Sequence, residues 1–230
     1  EALDQSSGQN RKSALSGVLD VLLRKDANAA VTWIKQMPDS PDKTAILAMA
    51  STDAYSSGAD PAATMDLTLM LPRGLNRESD LYFNLRSWVE KDPRAAVNWV
   101  ESQSEDRVRQ SSEITAAGNW LQRDPAGASE WMANRAPGPE KDALINGALD
   151  LITDGNKSGA IPLIRYMSPE AVQSAPQWIA EISDPDLREK SYEKLATKWL
   201  AQEPQSATAW IKSSPLPSEV KDRLLNGKAP

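Results

Sequence analysis

The strongest constraint on this chain is a phrase that recurs at a nearly constant interval. From Asp92 it reads Asp-Pro-Arg-Ala-Ala-Val-Asn-Trp99, and from Asp26 it reads Asp-Ala-Asn-Ala-Ala-Val-Thr-Trp33. Asp60 opens Asp-Pro-Ala-Ala-Thr-Met-Asp-Leu67, and Asp124 opens Asp-Pro-Ala-Gly-Ala-Ser-Glu-Trp131. By subtraction these four anchors lie 34, 32 and 32 residues apart. Weaker copies begin at Asn156 and Glu203, and Trp178 stands 32 residues before Trp210. Such an interval marks stacked helix pairs, because one pair buries its apolar face only against the next.

Each phrase is a corner between two helices. An aspartate accepts hydrogen bonds from the unpaired N–H groups of a first helical turn. Proline directly after it loses nothing, since the N–H it lacks has no partner there anyway. Four residues past the anchor stand Ala30, Thr64, Ala96, Ala128, Ala160, Ala175 and Ala207; seven past it stand Trp33, Leu67, Trp99, Trp131, Leu163, Trp178 and Trp210. Small and large residues on one face let a neighbouring helix approach over the first and be filled by the second. Four residues before the anchor, Leu22, Ser56, Trp88, Trp120, Ile152, Met167 and Trp199 close the preceding helix.

The pattern predicts helices at 11–25, 27–37, 41–56, 61–71, 76–91, 93–103, 105–122, 125–135, 139–153, 157–167, 185–201 and 204–213, with a further start at 217–226. Pro38, Pro72, Pro137, Pro169 and Pro215 stop the short helices. The expected fold is all-α, a right-handed α-solenoid of stacked antiparallel helix pairs with a period of about 32–34 residues. Residues 1–10 are polar and read as a flexible lead-in. Residues 11–230 read as a single helical-repeat domain with units anchored at 26, 60, 92, 124, 156 and 203. Pro169, Pro176 and Pro185 punctuate a register break at about 168–184.

Composition narrows the chemistry. The chain has no Cys and no His, which excludes thiol nucleophiles, Ser-His-Asp triads, Cys/His zinc sites and disulfides. A net charge of −6 with no run of Lys or Arg argues against nucleic acid as partner. No apolar run approaches the roughly 20 residues that span a bilayer. Glu1 in place of an initiator Met is what a processed chain would show, and the expectation leans toward an extracytoplasmic, periplasmic location.

The string Asp92-Pro93-x-x-Ala96-x-x-Trp99 resembles the junction of tetratricopeptide repeats. Those repeats carry Leu-Gly after the aromatic, whereas Val100-Glu101-Ser102 and Met132-Ala133-Asn134 stand here. The chain also resembles Trp-rich Asp-Pro repeats of uncharacterised exported bacterial proteins. The resemblance implies a superhelical scaffold that binds a protein or peptide partner, with no cofactor.

Residues between the repeating columns are then the ones facing a partner: Arg94, Asn98, Glu101, Glu130, Arg165 and Lys212. The eight Trp residues, recurring at fixed positions, read as core. Ser191-Tyr-Glu-Lys194 matches a Ser-x-x-Lys nucleophile motif, but Ser40–Lys43 and Ser218–Lys221 match equally, and the Lys-Thr-Gly companion is missing. Asp150 and Asp154, four apart on a helix, are a weak candidate pair for Mg²⁺. The expected function is a non-enzymatic protein–protein interaction scaffold. The alternative is a carboxylate-based enzyme, or an accessory domain of a cell-wall or glycan-acting enzyme, using Glu170 and Glu181 near the register break.

Overall fold

The computed structural model describes residues 2–57, 59–74, 76–154 and 169–226. Among them the protein is all-helical, with thirteen helices and no strand. The helix predicted over 157–167, with Ala160, Leu163 and Arg165, lies outside the described residues. The chain divides into two compact units at Glu105 and Asp106, where the sequence alone suggested one domain.

The first unit holds α1 (Ala2–Lys25), α2 (Ala27–Gln36), α3 (Pro41–Ser57), α4 (Pro61–Leu69), α5 (Arg77–Lys91) and α6 (Pro93–Glu101). Helix α1 starts at Ala2, so it includes the segment read as a lead-in. That segment has no apolar stripe, but a turn added to an existing helix needs no new nucleus. Consecutive long helices pack together, α1 on α3 and α3 on α5, and α2 packs on α4. Leu19 and Leu23 of α1, Ala30 and Ile34 of α2, Ile46 and Leu47 of α3, and Ala63 and Leu67 of α4 form one buried cluster. Asn84 of α5 donates to the Ser51 carbonyl of α3 at 3.0 Å, tying those two helices side by side.

The second unit holds α7 (Asp106–Arg123), α8 (Pro125–Ala133), α9 (Pro139–Asp154), α10 (Pro169–Ala180), α11 (Pro185–Gln202), α12 (Pro204–Ser213) and α13 (Ser218–Asn226). Here α7 packs on α9, α9 on α11, and α8 on α10. Helices α7 and α9 meet through reciprocal glycines. A Cβ on Gly118 of α7 would lie 2.8 Å from Leu151 Cδ1, and one on Gly147 of α9 would lie 2.5 Å from Ile114 Cδ1. Each glycine is the socket for the other helix's branched side chain, so both are tolerated mid-helix despite their low propensity.

The corners form as their chemistry requires. Asp26, Asp60, Asp92 and Asp124 accept from the backbone N–H of Ala29, Ala63, Ala95 and Gly127 at 2.9, 2.8, 3.0 and 2.9 Å. Each such cap contributes about 1 kcal/mol. Glu203 makes no side-chain cap bond before α12. Its extra methylene carries the carboxylate past the geometry that a short Asp side chain reaches. The residues four past each anchor, among those described, are all buried: Ala30, Thr64, Ala96, Ala128, Ala175 and Ala207.

Within the stretch read as a register break, α10 spans Pro169–Ala180 and runs through Pro176. An interior proline costs about 3 kcal/mol. Burial of Val172, Ala175, Trp178 and Ile179 offsets it, and the Pro176 carbonyl accepts from the Tyr192 hydroxyl at 3.2 Å.

Candidate functional site

Most of the chemistry-bearing side chains are engaged in holding helices together. Lys43 at the start of α3 donates to the Met37 carbonyl at the end of α2, at 3.0 Å. Lys141 near the start of α9 donates to the carbonyls of Ala133, the last residue of α8, and Arg135 just beyond it, at 2.9 and 3.3 Å, and pairs with Glu181. Arg188 of α11 donates to the Ile182 carbonyl at 2.8 Å, and Lys221 of α13 to the Lys212 carbonyl at 3.3 Å. A cation from a long helix thus satisfies the orphan carbonyls where the preceding short helix ends, the pole that attracts positive charge. Asp142, buried in α9, does the converse and accepts from the Ser183 and Asp184 N–H groups at 2.7 and 3.0 Å. Nothing in the repeating phrase pointed to these residues; a charge in the first turn after each linker was the available signal.

The carboxylates weighed from sequence, apart from Glu170, whose side chain is not among those described, fall into this structural class. Asp150 and Asp154 face Lys194 and Lys198 of α11: Lys194 donates to Asp150 at 2.6 Å and pairs with Asp154, and Lys198 pairs with Asp154 at 2.8 Å. Hydrogen bonds from Lys194 and then Lys198 hold the Asp154 carboxyl below its usual range. Burial alone would lower Lys194, but its bonds to Asp150 and Asp154 outweigh that and leave it raised. Ser191 is buried and its hydroxyl has no partner, while Lys194 is turned to the aspartates, so the Ser-x-x-Lys spacing forms no nucleophile–base pair. Glu181 is held by the buried Lys141. Among the described residues no group of three or more acidic side chains is arranged to hold a metal ion.

The residues expected to face a partner are placed as follows. Arg94, Asn98 and Glu101 lie exposed on α6, one face of a single helix by their spacing. Glu130 on α8 and Lys212 on α12 are exposed in the second unit, where α8 packs on α7 and α10 while α12 packs on α11 and α13. Glu130 and Lys212 sit on separate helices. Arg165 is outside the described residues.

The Trp residues divide. Trp88, Trp99, Trp120, Trp178 and Trp199 are buried, but Trp33, Trp131 and Trp210 are half-buried. Three pairs recur from the columns four before and seven after an anchor: Trp88 with Trp99, Trp120 with Trp131, and Trp199 with Trp210, with ring centroids 6.2, 6.0 and 5.6 Å apart. Their N–H groups differ more than their rings do. Trp99 donates to Asp66 at 2.9 Å, Trp120 to Asp124 at 3.3 Å and Trp178 to Ser129 at 2.6 Å. Trp199 is 3% exposed, and its N–H has no acceptor. Next to it opens a cleft of about 470 Å³ lined by Gln173 of α10, Trp199 of α11, and Ser206, Ala209 and Trp210 of α12. Tyr192 backs the cleft, its ring 6.1 Å from Trp210. Among the described residues, no charged side chain lines the cleft.

No protein-family model matches the chain, and no curated protein or solved structure is significantly similar to it. No described helix is long and apolar enough to cross a membrane.

Proposed function

We propose that the chain is a non-enzymatic protein–protein interaction scaffold, a tetratricopeptide-like right-handed α-solenoid whose helix pairs repeat at intervals of 32–34 residues. The observation that carries this reading is the division of labour along each short helix. Ala96 and Trp99 are buried, while Arg94, Asn98 and Glu101 on the same helix are exposed. Glu130 and Lys212 are exposed in the same way beside buried Ala128 and Ala207. Fixed columns build the stack, and the intervening positions, Arg165 among them, vary in charge and select a protein or peptide partner. The carboxylate-based alternative has less support, because Asp150, Asp154 and Glu181 are each ion-paired to lysines within the fold.

The test compares capture from native extract by the wild-type chain with capture by Arg94→Glu and Lys212→Glu variants that retain the wild-type helical spectrum. A partner retained by the wild type and lost by either variant is the expected result. Capture that is indifferent to both substitutions overturns the assignment of this surface, and turnover of a glycan substrate overturns the non-enzymatic reading.

A further inference from the structure

We infer that the cleft between α10 and α12 is a binding site for a neutral, proline-bearing peptide segment in extended conformation, one carbonyl of which accepts from the Trp199 indole N–H. The inference rests on the scaffold reading above and names the segment this one site would take. It starts from an anomaly. A buried donor with no acceptor costs about as much as a broken hydrogen bond and calls for a specific explanation. The N–H groups of Trp99, Trp120 and Trp178 have protein acceptors. Trp199 lacks one, and it is the tryptophan at the floor of an open cleft.

The packing explains why the cleft exists. Helix α12 packs chiefly on α11 and α13, whereas α10 packs on α8, α9 and α11. Space is left between the two short helices, floored by the long helix that carries Trp199. The half-buried Trp210, tilted 35° against Trp199, lines this space too. The Trp199 N–H is sealed from water in the free chain, so an incoming carbonyl reaches it by displacing the Trp210 ring. Trp210 is held by aromatic contacts to Tyr192 and Trp199, which a second flat apolar face can replace.

The wall chemistry selects the ligand. A quarter of the chain is charged, yet Gln173, Ser206, Ala209 and the two indoles are all neutral, so a charged group entering here would lose water without gaining a counter-ion. The missing partner is an acceptor. An X-Pro amide offers a carbonyl, has no N–H of its own to satisfy, and presents a flat ring that stacks on an indole; extended proline segments also lose little entropy on docking in aromatic grooves. A sugar would stack as well, but each hydroxyl brings a donor, and among the described lining residues only Ser206 and Gln173 offer side-chain acceptors.

The experiment titrates the full chain with a capped pentaproline peptide and, separately, with a neutral oligosaccharide, following the indole N–H resonances by NMR. The expected result is a saturable shift of the Trp199 N–H on adding the peptide, with a change at Trp210. Trp199→Phe, which keeps an aromatic ring and removes the donor, should weaken binding roughly tenfold, about one strong hydrogen bond. Ala209→Arg, at an exposed rim position, should abolish binding without touching the core. It decides the matter if Trp199→Phe fails to fold. A shift with the oligosaccharide alone, or with neither ligand, overturns the proposal. Capture of a partner from extract that survives Ala209→Arg would overturn this site for that partner while leaving the scaffold reading intact.

Discussion

Replacing Lys141 by methionine keeps the length of the side chain and removes its charge, which isolates the work done by one ammonium group. Lys141 is 5% exposed and reaches two carbonyls at and just beyond the end of α8, at 2.9 and 3.3 Å, while also pairing with Glu181. A hydrogen bond from a charged donor contributes about 1.5–3 kcal/mol, and a carbonyl left buried without a donor costs about 1–3 kcal/mol. Two carbonyls are involved, the second at poorer distance, and the partly exposed Glu181 adds less than about 1 kcal/mol. Relief of the cost of burying the ammonium offsets part of this. The net expectation for Lys141→Met is a loss of about 2–4 kcal/mol. With a urea m-value of about 2 kcal/mol per M, that lowers the unfolding midpoint by about 1–2 M, read by far-UV circular dichroism. The comparison series makes the reasoning refutable. Lys43 serves one carbonyl at 3.0 Å with its side chain 14% exposed, so Lys43→Met should cost about 1–2 kcal/mol. The exposed contact of Lys221 to one carbonyl at 3.3 Å should be worth less than about 1 kcal/mol. If Lys141→Met cost no more than Lys221→Met, the view that these cations close the short helices would be wrong.

Four further outcomes are expected. Gly147→Ala gains about 1 kcal/mol of helix propensity, but its Cβ meets three Ile114 atoms at 2.5–3.0 Å, so the net effect should be destabilising by about 1 kcal/mol and should vanish when the same change is made on an Ile114→Ala background, which removes all three atoms. Glu203→Asp supplies the missing cap before α12 and should raise the melting temperature, corresponding to a gain of up to about 1 kcal/mol. Burial pushes the Asp80 carboxyl, whose Oδ2 has no partner, above its ordinary 3.8. A raised folded value penalises the charged form above it, so Asp80→Asn should stabilise the protein at neutral pH, an advantage that shrinks as pH falls through that value toward 3.8. Asp154 shifts the other way: its contribution is present above 3.8 and lost as pH falls through its lowered folded value. Lys194→Met should therefore show its largest deficit in urea midpoint near neutrality and little in strong acid.

The legible parts of this fold were those with a local cause repeated often enough to be counted. Asp92-Pro93 fixes a helix start because the cap and the proline act within one turn, and the described helices begin at or next to the predicted positions at every Asp-Pro corner. The departures are places where tertiary packing decides. Pro176 was legible only as one of three prolines punctuating the register break, whereas the burial of Ala175, Trp178 and Ile179 that carries α10 through it is not visible in sequence. Trp131 and Trp210 read as core because they occupy the same column as Trp99, yet column membership fixes which way a side chain faces and leaves open what covers it.

That distinction also explains why the candidate site was invisible beforehand. The exposed residues Arg94, Asn98, Glu101, Glu130 and Lys212 were found by subtracting the columns from the chain, a procedure that assigns every column residue to structure. The cleft at Trp199 and Trp210 is built from column residues that have lost their neighbour, since α12 turns toward α11 and α13. Where corners recur, a difference in what the indole N–H groups find is the informative signal. Trp99 has Asp66 and Trp120 has Asp124, but Trp199 is left waiting. An interaction surface made by variable polar positions and one made by a vacated core position call for different partners, the first charged and the second neutral and apolar. The response of capture to Lys212→Glu and to Ala209→Arg, two positions on the same helix α12, separates them.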